Sequence, residues 1–270
     1  MPSEVPRNHA VGDPPDADEQ RDVTVRLKRV SKWFGSKRAV IDLSLELRAG
    51  EVFAFLGPNG AGKTTTLKIA TGLLRPDSGS VEVCGHDMTR HGRRAKQHVA
   101  YVPDQPFIYD KLTGREFIEF TCEMYGVPPE VARERLGWLK ENLAMDGFLE
   151  QLSETYSHGM KQKIALAAAL IHSPRLLIVD EPMVGLDPRM IRVTKTILRE
   201  LAARGGTVFM STHTLDVAEQ VADRIGIINR GWLVALGTLA ELRRTAAVDG
   251  RLEDVFLHLT DTSGVAEPGE

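Results

Sequence analysis

Eight residues, Gly57-Pro58-Asn59-Gly60-Ala61-Gly62-Lys63-Thr64, follow directly on the apolar run Val52-Phe53-Ala54-Phe55-Leu56. They fit the spacing G-x-x-x-x-G-K-[ST]. A continuously apolar run is expected of a parallel strand buried on both faces. The segment therefore reads as strand, glycine loop and helix from Lys63, which commits this part of the chain to an α/β sheet. Glycines let successive backbone N–H groups turn toward one anion, and the following helix adds its positive end. Such a loop holds nucleotide phosphates. Lys63 is expected to reach the β- and γ-phosphates and the Thr64 hydroxyl to ligate Mg²⁺, with Thr65 beside them in the cradle.

Two further buried runs release polar residues at their C-terminal ends. Leu176-Leu177-Ile178-Val179 leads into Asp180-Glu181, and Val208-Phe209-Met210 leads into Ser211-Thr212-His213. Three such strands predict an open α/β sheet with its site along that edge. Asp180 is placed to hold Mg²⁺ through water, and Glu181 to activate an attacking water. Val23, Val25 and Leu27, and then Ile41, Leu43, Leu45 and Leu47, alternate with polar residues. They read as antiparallel strands with one wet face. Residues 225–228 and 232–235, split by Arg230-Gly231, read as a closing hairpin.

Between these strands the period changes. Phe117, Phe120, Thr121 and Met124 fall at i, i+3, i+4 and i+7, and Gly126-Val127-Pro128-Pro129 ends that helix. A helical insertion is expected over about 106–172.

Composition narrows the function classes. The formal charge of −3 over 270 residues gives no global basic field, so no nucleic-acid partner is expected. No apolar stretch approaches the roughly 20 residues a membrane span needs, so any membrane role is expected to come through a partner. Residues 1–22 carry four prolines, several acids and no apolar run, which reads as a disordered tail rather than a signal peptide. Cys84 and Cys122 stand far apart without a CxxC or a partner histidine at metal spacing, as two reduced thiols would.

Further motifs give the chain a resemblance. Tyr156-Ser157-His158-Gly159-Met160-Lys161-Gln162-Lys163 resembles the signature sequence of ABC-type ATPases and stands just upstream of the Asp-Glu strand. Val184-Gly185-Leu186-Asp187 resembles that family's D-loop, and Ser211-Thr212-His213 its switch-histidine motif. The resemblance covers about residues 23–245. It implies a P-loop NTPase with a RecA-like, mostly parallel sheet, an antiparallel β subdomain and an inserted α-helical subdomain. A C-terminal helix and tail are expected over 246–270.

The family implies a division of labour. Two ATPase domains, as a homodimer or pseudo-dimer, pair head to tail around two ATP and drive a separate integral membrane permease from the cytoplasmic face. Ser157 and the Gly159 backbone would touch the γ-phosphate across that pair. His213 would hold the γ-phosphate and the attacking water beside Glu181. Phe34 stands where the family stacks an aromatic on adenine, and is otherwise a core residue.

The sequence departs from the family at His158 and Met160. It also places Asp104 where the family has a Mg²⁺-contacting glutamine, with Gln105 one position later; either is open for that role. Phe107, Ile108 and Tyr109 either grip a helix of the membrane partner or lie buried under the insertion. Leu252-Glu253-Asp254-Val255-Phe256-Leu257 resembles the ending of stand-alone exporter ATPases, or is an amphipathic helix with Leu252, Val255, Phe256 and Leu259 on one face. Export is preferred over import. The alternative is a soluble ABC-type ATPase acting on a non-membrane partner. The transported substrate is not written in this chain.

Overall fold

The computed structural model of the chain describes residues 22–248 and 250–262. The expected tail lies outside these residues except for Asp22, as do the last residues of the C-terminal segment. β1 (Val23–Phe34) turns back into β2 (Lys37–Arg48), and the two pair antiparallel with Leu27 opposite Leu45. β3 (Val52–Leu56) and α1 (Lys63–Ala70) flank the glycine loop. β4 (Ser78–Val83), β5 (His86–Asp87) and α2 (Gly92–Lys96) lead to β6 (Val99–Val102). The helical insertion contains α3 (Gly114–Tyr125), α4 (Pro129–Asn142) and α5 (His158–Leu170). The chain then returns through β7 (Leu176–Asp180), α6 (Pro188–Ala203), β8 (Thr207–Thr212) and α7 (Leu215–Val221). β9 (Arg224–Asn229) and β10 (Trp232–Gly237) form the expected hairpin, and α8 (Leu239–Ala246) and α9 (Leu252–Thr262) follow.

Two sheets result. One is antiparallel, in the order β2-β1-β4-β5; the other has six strands in the order β10-β9-β3-β8-β7-β6, parallel except for β10. The period of two along β3 explains how they stack. Val52, Ala54 and Leu56 face the helical side, while Phe53 and Phe55 join Leu27, Leu45 and Leu67 between the sheets. β7 divides the same way, with Leu177 and Val179 on one side and Leu176 and Ile178 on the other. Every residue of β3, β7 and β8 is buried, which is why these strands read as unbroken apolar runs. Phe53, Phe55 and Phe209 form an aromatic knot with centroids 5.6 to 6.3 Å apart. Buried Glu51 accepts from Arg48 N at 2.7 Å and meets Arg224 Nη1 at 3.2 Å, tying the antiparallel layer to β9.

The insertion departs from expectation in one respect. α3 begins at a capping box, Thr113 with Glu116, and ends at Gly126 with φ 66°, as its sequence signals. Its buried side, however, is Gly114, Ile118 and Cys122, while Phe120 and Met124 of the expected apolar stripe are exposed. The cause is the contact with α5: the Tyr156 hydroxyl, buried just before α5, accepts from Gly114 N at 2.9 Å and fixes the helix with Gly114 inward. Only Phe117 of the stripe is drawn partly into the core. Ile108 is buried, whereas its neighbours Phe107 and Tyr109 are exposed, so the two readings of 107–109 divide within three residues.

Candidate nucleotide site

The glycine loop lies at the C-terminal edge of the six-stranded sheet, between β3 and α1. Gly62 caps α1 with φ 113°, and a Cβ there would strike the carbonyl of Ala39. Only glycine tolerates both the left-handed backbone and that approach. Lys63 opens the helix and is 7 % exposed. Its Nζ donates to Gly57 O at 2.6 Å and Pro58 O at 3.2 Å, so the ammonium hangs over the loop it begins from. Burial lowers its pKa, and the charges of Glu181 and Asp180 oppose that shift. Ala61 anchors the loop from behind through its carbonyl, which accepts from Gly231 N at 2.9 Å.

The strand ends converge on α1. Thr64 Oγ1 donates to Asp180 Oδ2 at 2.7 Å, and Ser211 Oγ donates to the other oxygen, Oδ1. Asp180 is nearly inaccessible, so both its oxygens are committed within the fold. Glu181 follows with φ 52°, a left-handed value strained for a non-glycine residue. Its Oε1 accepts from His213 Nδ1 at 2.8 Å. The Glu181 side chain is 13 % exposed and that of His213 57 %, so the pair sits at the mouth of the site.

One cleft of about 340 Å³ joins these groups. It runs from Phe34 and Lys37 past Asn59, Gly60 and Thr65 to Thr64, Asp104, Asp180 and Glu181. Phe34 is 51 % exposed at its outer end, with Lys32 Nζ 5.8 Å from the ring centroid. This ring is therefore no part of the core. Asp104 lines the cleft, while Gln105 is exposed and does not. The cluster of Thr64 hydroxyl and carboxylates is an all-oxygen donor set, which suits a small hard cation such as Mg²⁺. Among the described residues no group of three or more His, Cys, Asp or Glu is arranged to hold a metal by itself.

The signature residues stand elsewhere. Ser157 caps α5, its Oγ accepting from Met160 N at 3.3 Å, and neither Ser157 nor Gly159 lines the cleft. Gly57, Pro58, Asn59, Gly60, Ala61, Gly62, Lys63, Thr64 and Thr65 are brought together with Asp104, Asp180, Glu181 and His213; Ser157 and Gly159 are not. Four residues of the site escaped sequence reasoning. Lys37 and Ala39 line the cleft from the start of β2. Ser211 clamps Asp180, although the resemblance assigns a role only to the histidine of its motif. Tyr101 is the fourth: its hydroxyl is buried without a partner among the described residues, in the field of Asp180 and Asp104. Burial first, and then those two carboxylates, hold its pKa far above the usual range.

This arrangement has known counterparts. Residues 40–184 match the family model described as ABC transporter. The linearmycin resistance ATP-binding protein LnrL of Bacillus subtilis is 37% identical over 218 residues, which cover 81% of this chain and 70% of that protein. The daunorubicin/doxorubicin resistance ATP-binding protein DrrA of Streptomyces peucetius is 38% identical over 212 residues, covering 78% of this chain and 64% of its own length. The Nod factor export ATP-binding protein I of Burkholderia orbicola is 36% identical over 213 residues, 79% of this chain and 70% of that one. A solved structure of an ATP-binding subunit of an ABC transporter superposes with a TM-score of 0.85 at 31% identity, covering 88% of this chain and 99% of the other. A phosphate loop at the edge of a mostly parallel sheet, an inserted helical unit and these likenesses lead to one conclusion: the chain belongs to the ABC transporter family, as an ATP-binding subunit with ATPase activity.

Proposed function

We propose that this chain is the motor of an exporter, hydrolysing ATP at the cleft described above and pairing head to tail with a second ATPase domain. In this reading Lys63 binds the β- and γ-phosphate oxygens, and the backbone of 57–62 cradles them. Phe34 offers its face to the adenine. Glu181 takes the proton of the attacking water as the γ-phosphoryl group leaves ADP, giving ADP and phosphate. His213 holds the Glu181 carboxylate through Nδ1 and keeps Nε2 for the γ-phosphate. Thr64 and Asp104 would hold Mg²⁺, with Asp180 acting through water, and the ion would neutralise phosphate charge. Ser157 and the α5 N-terminus, with Gly159 in its first turn, meet the γ-phosphate of the second domain's ATP.

The observation that carries the reading is the 2.7 Å bond between Thr64 and Asp180 in the cleft, with Glu181 lining it beside them and bonded at 2.8 Å to His213. Absence of the signature from that cleft is what a head-to-tail pair requires. Export is supported by relatives whose names refer to drug resistance and Nod factor export. Among the described residues no helix is long and apolar enough to cross a membrane. The chain would then sit at the cytoplasmic face of the membrane, held by its permease.

Glu181→Gln tests the chemistry: turnover should fall by about 10² or more, while ATP binding persists and an ATP-bound dimer accumulates on size exclusion. Turnover undiminished in that variant would remove Glu181 as the base. Recovery of the chain with ribosomes, rather than with a multi-span membrane protein, would replace the exporter by a soluble ATPase.

A further inference from the structure

The signature of this chain carries a histidine where the family pattern has glycine, and the structure gives that histidine a neighbour. Gly185, in the loop between β7 and α6, has φ +75°. A Cβ built on Gly185 would collide with Cδ2 of the His158 imidazole and lie 3.2 Å from its Nε2. The approach is mutual. A Cβ on Gly159 would fall 2.7 Å from the carbonyl oxygen of Gly185. The first turn of α5 and the Gly185 peptide are thus fitted against each other at both ends.

The loop holding Gly185 is short and tied at each side. Val184 N donates to Glu181 O at 3.2 Å, and Leu186 N to Met183 O at 3.3 Å. Asp187 caps α6, accepting from Arg189 N at 2.9 Å and Met190 N at 3.0 Å, with the charge of Lys163 on α5 acting on it. Two turns therefore separate Gly185 from Glu181, whose own φ of 52° has to be held by its surroundings. A displacement of Gly185 has few places to be absorbed before it reaches the carboxylate.

We propose that His158 is a positioning residue: its imidazole seats Gly185 and so holds residues 181–187 in the geometry that aims Glu181. This rests on the reading of Glu181 as the base and of Ser157 as a contact to the second ATP. Under that reading His158 stands between the two sites. When Ser157 engages the partner domain's ATP, the first turn of α5 is fixed, and His158 transmits that to the chain's own Glu181. A glycine at 158 has no side chain with which to make this contact.

The test is a mutant cycle on the full chain, measuring ATP turnover against ATP concentration, with ATP binding and thermal unfolding alongside. His158→Ala should lower kcat about tenfold or more while KM shifts by no more than about twofold, because the loss lies in alignment. His158→Gln, long enough to cover Gly185, should restore most of kcat. Gly185→Ala forces a side chain into the imidazole, on top of the strain of a side chain at φ +75°, and should also lower kcat. In the double variant that second loss should be at least about fivefold smaller, since contacting residues couple. Independent, additive losses would overturn the inference, as would a His158→Ala variant with the wild-type kcat. If Gly185→Ala does not fold, the Ala and Gln variants at 158 decide alone: equal kcat in the two overturns it. A wild-type chain that binds ATP without turning it over would overturn both this inference and the reading it rests on.

Discussion

Asp104 separates what one residue's type reveals from what only its position reveals. Its carboxylate and the Gln105 amide are neighbours in a segment, 103–105, that leaves β6 through a proline. The strand's alternation stops there, so no periodicity fixes which side chain turns inward. Folding settles it, because Asp104 lines the cleft with Thr64 and Asp180 while Gln105 faces solvent. A carboxylate is a harder and more strongly attracting ligand for Mg²⁺ than an amide. Asp104→Ala should therefore raise the Mg²⁺ concentration needed for half-maximal turnover by about tenfold, roughly one lost ligand of 1–2 kcal/mol. Gln105→Ala should leave that titration where it is. A Mg²⁺ titration of turnover in both variants checks this, and identical curves for Asp104→Ala and wild type would remove Asp104 from the metal. Lys63, Thr64, Asp180 and Glu181 were legible in the sequence for the opposite reason. Each follows an apolar run that can only be a buried strand, which fixes the edge where it emerges. Tyr101 was illegible because in sequence it is one more large residue of a strand; its unpartnered hydroxyl exists only after folding.

At the scale of elements, boundaries were more legible than faces. Gly126 ends α3 where the sequence predicts, whereas its start, at the Thr113–Glu116 capping box, comes from the structure. The periodicity did not give the buried side: Gly114 docks against Ile164 and Tyr156, and Ile118 and Cys122 turn inward with it while Phe120 and Met124 stay outside. α9 shows the opposite outcome: Leu252 and Val255 are fully buried, and Phe256 and Leu259 partly so, as the amphipathic pattern predicts. The same α3–α5 junction holds a titratable contact. Tyr125, at the end of α3, stacks on His172 just past α5, with ring centroids 3.7 Å apart and planes within 6°. Burial first, then the charge of Arg135, lowers the His172 pKa to about 4. The folded chain thus keeps this ring neutral down to that pH, while the unfolded chain protonates it from about 6.5. Between those values the unfolded state binds more protons, so stability falls as pH falls. After allowance for partial exposure, the loss from pH 7 to 5 is about 1–2 kcal/mol. His172→Phe keeps the stack and removes the titration. Denaturant unfolding of both chains at pH 7 and 5 should show the wild type losing more by that amount, and equal losses would exclude His172 as the source.

For the whole molecule, an unfinished apolar surface lies on the insertion. Phe107, Tyr109, Phe120 and Met124 are 74, 51, 42 and 66 % exposed. They are not scattered: Tyr109 lies with its centroid 5.7 Å from Phe107 and 6.2 Å from Phe120, edge to face in both cases. Tyr109 also reaches Phe117, at 6.4 Å, which is drawn partly into the core. The patch is therefore rooted in the fold while its outer rings meet water. Single exposed apolar residues are ordinary on a surface, but a contiguous aromatic cluster is the composition of an interface centre. It follows β6 within a few residues of Asp104, so a partner bound there would bear on the segment that enters the nucleotide cleft. In the exporter reading proposed above, this is the arrangement the motor needs, since work done by ATP closure would have to reach a permease through some contact. Aromatic anchors carry a large share of such interfaces, often 2 kcal/mol or more each on truncation. Phe107→Ser combined with Phe120→Ser should thus cut recovery of a multi-span membrane partner from detergent-solubilised membranes by about tenfold or more. Unfolding stability should move by only about 0.5 kcal/mol per substitution, because neither ring is buried. Undiminished recovery of the partner would place the docking surface elsewhere on the chain, and a large loss of stability would mean that the rings serve the fold instead.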